Sequence, residues 1–173
     1  ADRIVGGSVP KQYIPAVGEG VKEFLTKGPL GFPVVDLAVT LLDGSYHSVD
    51  SSDMAFKTAA RLAMQEGMPK CDPYVLEPIY KVTISMPTDY TSKVQRLVTG
   101  RRGQLLGFDT RLGWTGWDDV VALMPEAEIH DLIIELRSIT LGVGTYSRTF
   151  DHLAELRGRH PERATGTETA AAS

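Results

Sequence analysis

Between residues 77 and 156 the apolar periodicity switches repeatedly between two and 3.6 residues, and the order of those switches is the strongest constraint on the fold. "YKVTISM" alternates as a half-buried strand does, and "TDYTSKVQRLVTG" follows with Tyr90, Val94, Leu97 and Val98 at helical spacing. "GQLLGFDTR" and "DDVVALM" read as two strands joined by "LGWTGW", a turn rich in Gly and Trp. "EAEIHDLIIELRSITLG" then sets Ile129, Leu132, Ile133, Leu136 and Ile139 on one helical stripe, and "GTYSRTFDH" alternates once more. The predicted order is βαββαβ, the ferredoxin-like split βαβ plan, in which two helices cover one face of a four-stranded antiparallel sheet. A segment with this pattern closes its own core and is expected to fold without the rest of the chain.

Residues 1–76 read differently, as helix, strand, polar tip and helix. "VPKQYIPAVGEGVKEFLTKG" places Ile14, Val17, Val21, Phe24 and Leu25 on one stripe, with Gly28 where helices end. "FPVVDLAVTLLDG" alternates through Val35, Leu37, Val39 and Leu41, which predicts a half-buried strand. "SDMAFKTAARLAMQEGM" returns to helical spacing, with Phe56, Ala59, Ala60, Ala63 and Met64 inward. Pro69, Pro73 and Pro78 punctuate the stretch that ends this helix, which puts a domain boundary near residue 76. From residue 157 to 173 periodicity is lost among Ala, Thr, Glu and Arg, the composition of a disordered tail.

Length and charge exclude several classes of protein. The 173 residues allow one ordinary domain or two small ones, and 42% hydrophobic content is enough for packed cores. No apolar run approaches the ~18 residues that cross a bilayer, and the N-terminus has neither the basic start nor the apolar run of a secretory signal. Cys71 is the single cysteine, so neither a disulfide framework nor a cysteine metal site is expected; a reducing cytoplasm fits. The formal net charge is -4, spread evenly: segments 1–76 and 77–152 each carry -2. That balance argues against DNA and against any broad basic face, leaving RNA contact only as a local, shape-directed event.

Few candidate groups have the spacing that chemistry requires. Gly142-Val143-Gly144 is a lone GxG after a helix, better read as a helix C-terminus than as a dinucleotide loop, and no GxxxxGK[ST] phosphate loop occurs. His130, Asp131 and Glu135 share a helix without metal-ligand spacing; His152 and His160 have no evident partner. Arg101-Arg102-Gly103 closes a helix, where cations meet the negative end of the dipole, or else forms a pair of phosphate ligands on a corner. Trp114 and Trp117 flank a turn, as a local cluster or as a stacking surface. The tip "LLDGSYHSVDSSDMAFK" has a better-defined frame. Asp43-Gly44 is a turn pair, Asp50 or Ser51 is positioned to cap the following helix, and Asp53 sits in that helix's first turn. Between them lie Ser45, Tyr46, His47 and Ser48, and the His there is either a solvated loop residue or a contact.

Longer stretches decide between these options. "IVGGSVPKQYIPAVGEGVKE", "KGPLGFPVVDLAVTLLDGSYHSVDSSDMAFKTAARLA", "LEPIYKV", "TGRRGQLLG" and "LRSITLGVGTYSRTFDH" together resemble, in order and from Ile4 to His152, the C-terminal two domains of bacterial translation elongation factor G. The resemblance implies an α+β chain. Residues 1–76 would be domain IV without its first strands and second tip loop, a unit like the second domain of a small-subunit ribosomal protein, with a left-handed βαβ crossover. Residues 77–156 would be the ferredoxin-like domain V.

In that family the "GSYHxVDSS" loop enters the decoding site as tRNA and mRNA move. This implies RNA or ribosome contacts at Gly44, Ser45, Tyr46, His47, Ser48 and Asp50, with Arg101 and Arg102 as the candidate pair on domain V near the stalk base. The implied partner is the ribosome (rRNA, tRNA-mRNA and the stalk base), with no DNA and no membrane, and a monomer is expected. No cofactor is expected in these residues; GTP and Mg²⁺ would belong to a GTPase domain elsewhere in the parent protein. The sequence has Ile129-His130-Asp131-Leu132 where the family has a Phe-Gly-Tyr run, and a longer "RLGWTGWDD" connection. These departures leave two parents open: the main translocase, or an elongation factor G-like paralogue acting in recycling or protection. A stand-alone hydrolase is the reading from another class.

Overall fold

Ser52 decides where the second long helix of the N-terminal segment begins. In the computed structural model, which describes residues 8–156, its side chain accepts a hydrogen bond from Ala55 N at 3.1 Å, and helix α2 runs Asp53–Gly67. The cap is thus one residue later than Ser51, because the Ser51 hydroxyl is engaged by the His47 N–H at 3.0 Å. Asp53 lies in the favourable first turn, as expected. The partner helix α1, Ile14–Thr26, follows a short 3₁₀ turn at Lys11–Tyr13.

Helices α1 and α2 meet at small residues. Ile14, Val17, Val21, Phe24 and Leu25 are half-buried, while the buried positions of α1 are Ala16 and Gly20. A Cβ on Gly20 would stand 2.3 Å from the Lys57 carbonyl oxygen and 3.0 Å from Ala60 Cβ, so the two backbones approach as closely as glycine permits. On α2 the inward stripe is Phe56, Ala60 and Met64, continued by Met68 in a 3₁₀ turn; Ala59 and Ala63, expected inward, are exposed. The i, i+4 spacing of the larger side chains sets the face, and alanines beside it bury too little surface to turn it.

The strand expected within residues 32–44 does not form among the described residues; Leu41 makes one isolated bridge. The chain instead closes a loop after α1: Gly28 N donates to Phe32 O, Gly31 N to Gly28 O and Val34 N to Leu25 O, at 2.8–2.9 Å.

The second compact unit begins after Val75. Its elements are β1 Leu76–Pro87, α3 Thr91–Gly100, β2 Gln104–Thr110, β3 Trp117–Pro125, α4 Glu126–Ile129, α5 Leu132–Ile139 and β4 Thr145–Glu155. The sheet order is β2-β3-β1-β4, with antiparallel pairing throughout, as the βαββαβ pattern requires. Val82, Ile84 and Met86 of β1 and Val120, Ala122 and Met124 of β3 face Val94, Leu97, Val98, Ile129, Leu132 and Leu136 of the helices in one core. Extra residues bulge both edge strands, Leu106 in β2 and Asp151 in β4, a device that discourages edge-to-edge pairing. The helix expected over 126–141 is divided at His130-Asp131 into α4 and α5. The predicted tail, 157–173, lies outside the described residues.

Both long helices of this unit end the same way. Gly103 N bonds Val98 O at 2.9 Å after α3, and Gly142 N bonds Arg137 O at 2.7 Å after α5, the six-to-one bond of a Schellman ending. The left-handed residue that this ending requires is Arg102 (φ 55°) in one case and Leu141 (φ 54°) in the other, where glycine is the usual occupant.

Candidate functional site

The tip of the first unit is a run of nine consecutive exposed residues, 42–50, held at its root. His47 O accepts from Ser51 N at 3.1 Å while Ser51 Oγ accepts from His47 N at 3.0 Å, so the five-residue loop is closed twice. Tyr46 lies beside Tyr13, ring centroids 6.0 Å apart, and Tyr13 stacks on Phe56 at 4.7 Å and 14°. The aromatic row therefore ties the loop to the start of α1 and the first turns of α2. Such pairs contribute roughly 0.5–1.5 kcal/mol beyond the area they bury.

Gly44 has a packing reason rather than the turn expected of Asp43-Gly44. Its φ is not positive, and the turn of the loop falls at residues 48–50. A Cβ on Gly44 would approach Val9 Cγ2 to 2.6 Å, and Val9 is buried. Asp43 is held below the usual carboxylate range, first by the nearby Ser8 hydroxyl, which lies outside hydrogen-bonding geometry, and second by the Gly44 N–H at 2.8 Å. Ser45, His47, Ser48 and Asp50 are exposed with Tyr46, and Val49 is 90% exposed. The loop thus presents neutral donors and acceptors, one His and two carboxylates, Asp43 and Asp50, with no Lys or Arg between residues 28 and 56.

Arg101 and Arg102 lie at the end of α3 and are engaged by carboxylates. Arg101, 14% exposed at its side chain, donates to Asp131 Oδ1 at 2.5 Å, to Glu128 O at 2.9 Å and twice to Glu135 Oε2 at 2.6 and 3.1 Å. Arg102 makes a bidentate pair with Glu77 at 2.9 and 3.0 Å and a third bond to Glu128 Oε1 at 3.0 Å. Hydrogen bonding to Arg101 holds the Asp131 carboxyl below its ordinary range, and the Asp131 and Glu77 contacts raise the two guanidinium groups. Four carboxylates surround two cations, so this corner is a clamp joining α3 to β1, α4 and α5. The two arginines stand at a helix C-terminus, as expected, with their guanidinium groups engaged by carboxylates of the same unit and the Arg102 side chain 44% exposed.

The remaining candidates do not assemble a reaction centre. His130 is exposed, His152 Nδ1 contacts its neighbour Asp151 at 2.6 Å on β4, and His160 lies outside the described residues. Among the described residues no three His, Cys, Asp or Glu side chains are grouped to hold a metal, and no helix is long and apolar enough to cross a membrane. Gly142 and Gly144 belong to the end of α5, where Gly144 N donates to Thr140 Oγ1 at 2.8 Å. Trp114 and Trp117 pack edge to face at 5.1 Å, with the Arg111 guanidinium 4.4 Å from the Trp114 ring. Sequence reasoning missed Tyr13, Phe56 and Val9 as supports of the tip, since no local pattern links residues so far apart.

Comparison with known proteins follows the same division of the chain. The family profile described as Elongation factor G, domain IV matches residues 1–72, and that described as Elongation factor G C-terminus matches residues 74–164. The chain belongs to the elongation factor G family. An "Elongation factor G-like protein" of Synechocystis sp. is 61% identical over 156 residues, covering 90% of this chain and 23% of that protein. A crystal structure of a Thermus thermophilus protein superposes with a TM-score of 0.82 at 38% identity, covering 94% of this chain and 24% of the other. The chain therefore spans about a quarter of the length of these relatives. The α+β fold class of elongation factor G domain IV and C-terminal domain is the one expected from the sequence.

Proposed function

We propose that this chain is the ribosome-facing part of an elongation factor G-type translational GTPase. The tip at residues 44–50 contacts RNA in the decoding site while the parent protein moves tRNA and mRNA. The observation that carries the reading is the exposed loop fixed at its root by the Ser51 closure and the Tyr46–Tyr13–Phe56 row. An arm that acts by position must not bend at its end, and this root meets that need. With no Lys or Arg in the loop, recognition rests on shape and on hydrogen bonds from Ser45, His47 and Ser48 to bases and 2′-hydroxyls, a mode suited to RNA. Arg101 and Arg102 act in this reading as a fold clamp, and they would reach phosphate only by giving up Glu77, Glu128, Asp131 and Glu135. GTP and Mg²⁺ are handled by the parent's GTPase domain, and the site of action is the cytoplasm.

The test is His47→Ala in the full-length protein. Folding changes by no more than about 0.5 kcal/mol, as for an exposed loop residue. Translocation slows while ribosome-stimulated GTP hydrolysis is nearly intact. Equal loss of both activities, or normal translocation, refutes the tip contact. The second reading is a paralogous translational GTPase acting in ribosome recycling or protection. A full-length protein that splits ribosomal subunits with His47 intact but does not translocate selects it.

A further inference from the structure

The β2–β3 connection is built to hold apolar side chains in water. Arg111 N donates to Trp117 O at 2.8 Å, Trp114 N to Arg111 O at 3.1 Å and Trp117 N to Trp114 O at 3.2 Å. Gly113 and Gly116 both take φ 79°, a conformation that favours glycine, and Thr88 N anchors Gly116 O at 3.0 Å. The connection thus carries two tight turns and an external tether. On this frame Leu112 is 97% exposed and Trp114 49% exposed. Loop tips are ordinarily polar, and a fixed Leu beside a fixed Trp lowers free energy only when something covers them.

The charges beside the turn indicate what covers it. Trp117 and Asp119 alternate with the buried Asp118 and Val120, so they lie on the face of the sheet away from the helices, and Asp109 is paired across from Asp119. Asp119 accepts from Ser85 Oγ at 2.5 Å and Asp109 from the Thr110 N–H at 2.7 Å, but among the described residues neither carboxylate meets a cation. Like charges directly opposed on neighbouring strands are unfavourable, and a cation placed between them removes the cost. The cation of the turn, Arg111, already lies over Trp114. One face of the Trp114 ring is therefore occupied by Arg111, Trp117 packs against the ring as well, and the same hairpin carries two opposed carboxylates that would repel a phosphate. RNA is disfavoured on each count.

We infer that Leu112 and Trp114, with Asp109 and Asp119 beside them, dock a lysine- or arginine-bearing protein segment of the ribosome. The aliphatic stem of the incoming side chain covers the turn and its cation sits between the two carboxylates. The inference rests on the ribosome reading above and adds to it a protein contact, distinct from the RNA contact at the tip.

The experiment places photoreactive p-benzoyl-phenylalanine at position 112 or, separately, at position 49 of the tip, in the full-length protein with purified ribosomes. The expected adduct at 112 keeps its mobility after ribonuclease and yields a ribosomal-protein peptide by mass spectrometry, whereas that at 49 collapses to the mobility of the free protein after ribonuclease. In the 112 background, Asp109→Asn with Asp119→Asn lowers the yield about tenfold, the scale of losing a desolvated charge pair. The double variant is first checked for a thermal transition no lower than the parent's. An RNA adduct at 112, no adduct at 112 while 49 still crosslinks, or a yield indifferent to the two Asn substitutions overturns the inference and leaves the tip contact standing. Absence of crosslinks at both positions overturns the ribosome reading and this inference with it.

Discussion

Gly18 and Gly20 sit two residues apart in α1, and replacing each by Ala gives effects of opposite sign. At Gly18 nothing lies within 4 Å of an added Cβ, and the position is exposed. Ala there gains the usual helix-interior advantage over Gly of about 0.5–1 kcal/mol. At Gly20 the same gain is opposed by a Cβ placed 2.3 Å from the Lys57 carbonyl oxygen, a backbone atom that no side-chain rotation can move. A carbon–oxygen contact relaxes at ~3.3 Å or more, so α1 and α2 would have to separate by about 1 Å where they cross. That shift disturbs the Lys57 bond to Glu23, now 2.6 Å, and loosens the packing of Ala16 and Ala60. Overpacking of this kind costs ~1–3 kcal/mol, which leaves Gly20→Ala less stable than the parent by about 1–2 kcal/mol. The two variants should therefore differ by roughly 1.5–3 kcal/mol, the sum of the two effects. Both tryptophans lie in the second unit, so fluorescence does not follow this loss. Hydrogen exchange of the amides of α1 and α2, with far-ultraviolet circular dichroism in denaturant, does. A Gly20→Ala protein as well protected as Gly18→Ala would refute the close approach of the helices.

Leu141 carries a bulky side chain in the left-handed position after α5, so Leu141→Gly should stabilise the second unit by about 0.5–1 kcal/mol; the steric relief exceeds the entropy that glycine loses. Tryptophan fluorescence during urea unfolding measures this, and a lower midpoint contradicts it. Asp131 has its carboxyl held below the ordinary range by Arg101, so its contribution is complete above the unfolded-state value near 4 and is lost as pH falls through the lower folded value. Asp131→Asn should accordingly be less stable than the parent at neutral pH and flatter in its acid dependence. Urea midpoints measured from pH 7 down to about pH 2 give the comparison, and parallel curves would show that the pair contributes nothing.

The second unit was legible in the sequence because each of its strands finds a partner within the same eighty residues. Val82, Ile84 and Met86 alternate, and Val120, Ala122 and Met124 answer them across the ladder, so pattern and pairing agree. Val35, Leu37 and Val39 alternate just as clearly, yet no strand is formed there among the described residues, since alternation sets the face a strand would bury and not whether it forms. The cap of α2 shows the same limit at smaller scale. In "VDSSD" any of three residues can cap, and the choice of Ser52 depends on the neighbouring Ser51 closing the loop back to His47.

The tip itself required the resemblance, and the reason is physical. Polar residues in a loop have no period, and the groups that fix this one come from Val9, Tyr13 and Phe56, brought together only by the folding of α1 against α2. At the arginine corner the local rule was sound as far as it reached. Two cations at a helix C-terminus are favourable with or without a ligand, and what distinguishes a phosphate site from a clamp is the charge supplied by other elements. Here Glu77 comes from β1, Glu128 from α4 and Glu135 from α5, with Asp131 between the helices, and together they outnumber the arginines two to one. The sites open to a partner are then those where the fold leaves exposed groups without internal counterparts. The two contacts proposed above lie where the described residues leave exposed groups without an ion pair of their own: His47 and its neighbouring serines in the first unit, and Leu112 with Asp109 and Asp119 in the second.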